Sequence, residues 1–305
     1  MNLAPVGCPD AAPARDVLLP GVGSLARTVL RRYNAAMDSS LNLKSAWQDA
    51  KNWRVPLIVL AFTAVALTLV EYLFLSGSFV QFFPALTQQY APGVWYGAWS
   101  AAPAGTQAPW WGVLAPWAWW VAGTVTLWVI APWALAALLG FDARKLGLGG
   151  CGLFGKLWIY GLLLAIVMVG VWWASTRDSF THVYPFVKPR YCQEWTWALL
   201  LTWWGMYGVQ FFAVEFFFRG FLLFTLEEKF GVGAIAVMIV PYCMIHYHKP
   251  MPEALGAIVA GLVLGWMALK TRSIWGGVLV HVCVAISMDA LSLWQQDALP
   301  ASFGP

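Results

Sequence analysis

The chain has 305 residues and a net charge of +4, and 60% of its residues are hydrophobic whereas only 10% are charged. Soluble domains carry about 25% charged residues, so this composition excludes an ordinary soluble enzyme and predicts an integral membrane protein. Twenty-one Trp and ten Tyr residues are typical of a chain that lines two membrane–water interfaces.

The N-terminal region, residues 1–52, is the only sizeable polar stretch. Within it, residues 24–37 mix Leu, Val and Tyr with three Arg residues. A basic amphipathic helix on an anionic membrane surface and a loosely folded cytoplasmic tail both fit this pattern. No apolar core follows the first Met, so we expect no signal peptide.

Seven apolar stretches follow, which predict an all-α integral membrane protein with a polytopic bundle of about seven transmembrane helices, within a range of six to eight. These stretches are residues 55–75, 110–139, 157–174, 195–230, 232–247, 253–269 and 274–294. We divide the chain into a cytoplasmic polar and basic region (1–52), N-terminal transmembrane helices (53–190), core helices with the candidate site (191–294) and a short tail (295–305).

The basic residues predict how the helices are oriented. Seven Lys and Arg precede the first stretch, loops on the same side of the membrane add six, and loops on the opposite side carry four. Cytoplasmic loops carry an excess of Lys and Arg, so we expect a cytoplasmic N-terminus.

Among the polar residues within the apolar stretches of the core region, four are candidates for a functional site. Glu215 and Arg219 are four residues apart, which on a helix puts them on one face where they can pair. Ionisable side chains in hydrocarbon are costly and often functional, although such a pair can also serve only helix packing. His246 and His281 lie in later apolar stretches.

Helical rise indicates whether these residues lie at one depth. Glu215 is 16 residues before Gly231 and His246 is 15 after it, so a hairpin at this glycine would bring both about 22–24 Å from the turn. His281 lies only about 12 Å from its own turn at 270–273. It is therefore expected to be shallower, unless that turn dips inward.

Such a cluster has the groups that peptide hydrolysis needs. A carboxylate beside an imidazole can deprotonate water and pass the proton to a leaving group, and a second imidazole can stabilise an oxyanion. Arg219 would keep Glu215 ionised. Glu215, His246 and His281 also form the ligand set of a catalytic zinc site, although no HExxH motif supports a metal. Each His alone is equally compatible with a helix–helix hydrogen bond.

The motifs of this region resemble those of the CPBP family, which includes CAAX prenyl proteases and the bacteriocin-processing (Abi) proteases. The family pattern is two adjacent Glu with an Arg four after the second, an aromatic residue with a His four later, and a His with Asn or Asp four later. Glu215 and Arg219 match the first motif, and Tyr242 and His246 match the second. His281 matches the third-motif His. The resemblance implies that Glu215, Arg219, His246 and His281 are catalytic.

Two positions depart from the family pattern. Val214 stands where the first Glu belongs, and Ala285 stands where the Asn or Asp belongs. Asp289, one further turn along, is a candidate replacement for the missing polar group. Glu253 is a second auxiliary candidate near the mouth of the expected site.

The resemblance covers roughly residues 195–289 and implies an intramembrane endopeptidase, hence a hydrolase. It would cleave a membrane-associated or lipid-anchored peptide by Glu- and His-activated water, as a metalloprotease if zinc is bound. We expect it in the bacterial inner (cytoplasmic) membrane, with the lipid bilayer and the peptide as partners and no nucleic acid. The alternatives are a catalytically inactive CPBP-fold scaffold or immunity protein and a proton-coupled transporter, in which the polar cluster would relay protons.

Overall fold

The computed structural model describes Thr28, Arg31 and residues 52–84, 107–150, 152–247, 249 and 251–304. Apart from one isolated β-bridge between Ala108 and Cys192, the regular elements within these residues are helices. Most of the polar N-terminal region, including the proposed amphipathic helix, lies outside these residues. In hydrocarbon the backbone must satisfy its own hydrogen bonds, which favours helices.

Six helical stretches within this part of the chain are long and apolar enough to cross a membrane. They are Arg54–Phe74, Trp110–Leu138, Phe154–Ser175, Trp197–Met244, Met251–Thr271 and Trp275–Gln295. The α-helices are α1 (Arg54–Leu69), α2 (Trp110–Val125), α3 (Ala131–Leu138), α4 (Leu157–Ser175), α5 (Asp178–Val183), α6 (Trp197–Glu215), α7 (Phe224–Phe230), α8 (Ala234–Met244), α9 (Met251–Thr271) and α10 (Trp275–Gln295), with a further helical turn at Phe79–Phe82. The prediction of an all-α polytopic membrane protein is confirmed.

The stretch Trp197–Met244 is a hairpin. Its 48 residues would extend about 72 Å as one helix, more than twice the roughly 30 Å of the hydrocarbon core. The rings of Phe218 and Tyr242 are only 5.2 Å apart, so the chain reverses between them. The reversal begins at Gly231, whose φ of +55° favours glycine.

The returning arm of this hairpin is shorter than the sequence predicts. Residues 232–247 read as a full span, but α8 has 11 residues, or about 16 Å of helix. The part of the chain that the structure describes therefore has six apolar stretches of spanning length, and one of them includes this short return helix.

The core of the unit Val55–Pro305 surrounds a π-helical segment between α6 and α7, Phe216–Leu223, in which every residue is buried. The ring of Phe217 stacks on Trp128 at 5.6 Å, and Phe221 contacts Phe62 edge-on at the same separation. π-helices are rare and frequently mark functional sites. This one starts directly after Glu215 and contains Arg219.

The turn between α9 and α10 is drawn into the protein. Thr271 and Ser273 are buried, and the backbone N–H of Ile274 donates to the carbonyl oxygen of Gly147 at 2.9 Å. The Trp275 indole N–H donates to the carbonyl oxygen of Leu148 at 2.8 Å. The turn is therefore held against the loop after α3, although Arg272 within it stays exposed.

Candidate active site

A buried ion pair lies at the centre of the site. Glu215 ends α6 and is 1% exposed, and Arg219 is fully buried in the π-helical segment that follows. Arg219 Nη1 donates to Glu215 Oε1 at 2.9 Å, the pairing that their spacing predicts. The same carboxylate oxygen lies 2.6 Å from Nδ1 of His281 on α10. The first and third motifs of the sequence therefore meet directly.

The other carboxylate oxygen of Glu215 rests on the first turn of α10. A Cβ atom added to Gly277 would lie 2.1 Å from Oε2, so any side chain here would displace the carboxylate from its observed position. Helix N-termini carry a partial positive charge that stabilises anions. The sequence analysis missed Gly277. Its position one helical turn before His281, on the same helix face, could have indicated that it lies at the site.

His281 has a partner on each ring nitrogen. Nδ1 faces Glu215, and Nε2 lies 3.1 Å from the hydroxyl of Tyr242. A carboxylate accepts hydrogen bonds, so in the neutral ring Nδ1 carries the proton and Nε2 accepts from the Tyr242 hydroxyl. Phe211 stacks on the ring at 5.4 Å.

His246 lies just beyond α8 and is tied to the same tyrosine. Its Nδ1 lies 2.9 Å from the backbone carbonyl oxygen of Tyr242. A carbonyl only accepts, so Nδ1 donates and the lone pair of the neutral ring is on Nε2. Burial, assisted by the charge of Lys249, lowers the pKa of His246 to about 4. His246 is therefore neutral near pH 7.

Glu253, in the first turn of α9, belongs to a separate polar cluster. Its carboxylate accepts from the Tyr184 hydroxyl at 3.1 Å and pairs with Lys249 Nζ at 2.5 Å. Burial, together with the nearby Glu253 charge, raises the pKa of Tyr184 well above its ordinary range. Glu253 thus links α9 to the loop before α6.

Asp289 does not join the Glu215 network. It is fully buried, and its Oδ2 accepts from the Trp203 indole N–H at 2.7 Å. Eight residues of helix, about 12 Å, separate it from His281. Ala285 packs into the same aromatic cluster as Trp203. The suggestion that Asp289 replaces the missing polar group beside His281 is therefore corrected: it anchors Trp203 of α6.

The geometry does not fit the zinc site that the sequence left open at Glu215, His246 and His281. Among the residues described, no three His, Cys, Asp or Glu side chains are placed to hold an ion together. Zinc needs ligand lone pairs, whereas both ring nitrogens of His281 face protein partners and Glu215 Oε1 is shared with Arg219. Glu215 and His281 instead form a buried polar network with Arg219 and Tyr242.

Comparison with known families agrees with this arrangement. Residues 195–287 match the family model described as "Type II CAAX prenyl endopeptidase Rce1-like". No curated protein and no solved structure matches the chain. The matched segment runs from the start of α6 into α10 and includes the Glu215 network and His246. Over this segment the match confirms the resemblance to CAAX-type proteases of the CPBP family.

Proposed function

We propose that the chain is an active intramembrane endopeptidase that hydrolyses a membrane-associated or lipid-anchored peptide by attack of water. The observation that carries this proposal is the buried network of Arg219, Glu215 and His281, with the His246 ring held nearby by the backbone carbonyl of Tyr242. Stability alone gives little reason for this arrangement, because burying charges is costly even when they are paired.

The contacts divide the chemistry between the two histidines. The Nε2 lone pair of His246 accepts a proton from the attacking water, and the same ring returns it to the departing amine. Glu215 faces both Arg219 and His281, so it stays ionised and orients His281. The proton-accepting role expected for Glu215 thus passes to His246, while His281, held between Glu215 and Tyr242, keeps the Glu215 carboxylate in place.

We also propose that the N-terminus is cytoplasmic and that the protein resides in the bacterial cytoplasmic membrane. The excess of Lys and Arg on the N-terminal side of the spans supports this orientation. The lipid-anchored substrate class rests on the matched family description, which names a prenyl endopeptidase.

A cleavage assay in proteoliposomes with a prenylated CAAX peptide tests the activity. Because His246 moves the proton and Glu215 and His281 form the buried network, we expect His246→Ala, His281→Ala and Glu215→Gln to reduce kcat by about 10²–10⁴-fold. The matched control is His182→Ala, which removes an exposed imidazole of α5 outside the site. Wild-type rates in all three site variants would contradict the proposal.

A second candidate function is a non-catalytic binding protein of the same fold. It is favoured by Val214, which is 3% exposed and packs in the apolar cluster around Phe217, where the family pattern has the first Glu. If this candidate holds, the wild type does not cleave the peptide, and Val214→Glu combined with Ala285→Asn creates cleavage. Cleavage by the wild type that requires His246 rules it out.

A further inference from the structure

Tyr242 contacts three of the candidate catalytic residues, each through a different part of the tyrosine. Its backbone carbonyl accepts from His246 Nδ1 at 2.9 Å, and its hydroxyl lies 3.1 Å from His281 Nε2. Its ring lies beneath the Arg219 guanidinium, with Cζ 4.0 Å from the ring centroid. Phenylalanine would keep the carbonyl and the ring, so the hydroxyl is the contact that depends on tyrosine.

The hydroxyl completes a line of three groups across His281. The Tyr242 hydroxyl contacts Nε2 of His281, and the Glu215 carboxylate lies 2.6 Å from Nδ1 of the same ring. A hydroxyl, an imidazole and a carboxylate in this order also form the serine hydrolase triad, in which the carboxylate fixes the tautomer of the imidazole. Here the hydroxyl belongs to a tyrosine that is almost completely buried, which suits a group that orients the ring.

We propose that Tyr242 is a positioning residue whose hydroxyl donates to His281 Nε2, so that the ring is held on one side by Tyr242 and on the other by Glu215. Ala285, one turn beyond His281, has no polar side-chain atom to offer. The Tyr242 hydroxyl therefore provides the polar contact on that ring nitrogen. Without it, Nε2 loses its donor and the ring loses the contact that fixes its rotation.

The tautomer can be observed without any enzymatic activity. The chain has four histidines, so ¹⁵N-histidine labelling in nanodiscs gives few signals, and His281→Ala assigns the relevant pair. We expect Tyr242→Phe to shift the Nε2 resonance of His281 downfield, because a hydrogen bond to its lone pair is lost. The His246 signals should stay in place, since their partner is a backbone carbonyl that phenylalanine keeps. An unchanged His281 spectrum, or equal shifts in both histidines, overturns the proposal.

The effect on turnover rests on the proposed protease function. We expect Tyr242→Phe to lower kcat by about 10-fold or more with little change in KM, since small misplacements of catalytic groups are costly. Tyr160→Phe is the matched control, because it removes another buried hydroxyl, 3.4 Å from Thr271 Oγ1, outside the network. If the wild type does not cleave, the proposed function fails and the spectra still decide the role of Tyr242. If the wild type cleaves and Tyr242→Phe keeps the wild-type kcat, only this inference falls.

Discussion

Replacing Arg219 with Met is expected to destabilise the folded protein by about 3–5 kcal/mol, the usual result of removing one partner of a buried ion pair. The carboxylate of Glu215, 1% exposed, would lose the guanidinium 2.9 Å away. Denaturant unfolding of purified protein in detergent measures the change. The double variant Glu215→Gln/Arg219→Met should recover much of the loss, because it removes the uncompensated charge as well.

The chain offers a matched control for this experiment. Arg272 pairs with Glu227 on the surface, and the Arg272 side chain is 65% exposed. Exposed pairs contribute about 0–1 kcal/mol, so Arg272→Met should barely change the free energy of unfolding. Equal destabilisation by both Arg replacements would show that the buried Glu215–Arg219 pair contributes no more to stability than the exposed pair.

Replacing Gly277 with Ala is expected to lower the cleavage rate by about 10²-fold, the scale of a 1 Å misplacement of catalytic groups. The new methyl group would lie 2.1 Å from Glu215 Oε2, so the carboxylate must move away from Arg219 and His281. Cleavage of the lipid-anchored peptide measures the loss, and thermal unfolding in detergent checks that the variant is folded.

Two further variants separate this effect from a general cost of changing a helical glycine. Gly256→Ala in α9 places its methyl group in open space and should leave the rate unchanged. Gly277→Ala combined with Glu215→Asp should regain part of the rate, because the shorter side chain withdraws the carboxylate from the methyl group. Full activity of Gly277→Ala alone would show that the observed position of the carboxylate is not needed.

The sequence predicted those features that depend on spacing along one helix or across one turn. The four-residue separation placed Glu215 and Arg219 in contact, and the glycine at 231 predicted the hairpin that brings Tyr242 next to Phe218. The apolar stretches predicted the all-α membrane fold. Each of these follows from helical periodicity or helical rise.

The features that the sequence missed depend on packing between separate segments. The depth of His281 could not be counted from its own turn, because that turn is fixed by backbone contacts to Gly147 and Leu148. The contacts of Gly277 with Glu215 and of Asp289 with Trp203 join different helices. No periodicity within one helix reports such a contact, so Asp289 was assigned to the wrong neighbour.

Because α10 is attached to the loop after α3, that loop affects the position of the site residues on α10. Ile274 and Trp275 donate hydrogen bonds to the carbonyl groups of Gly147 and Leu148. Gly277 and His281 follow on the same helix. We expect an insertion or deletion in this loop to change the positions of both residues relative to the Glu215 carboxylate. The start of the helix that carries these two candidate-site residues is thus held by a loop outside the site.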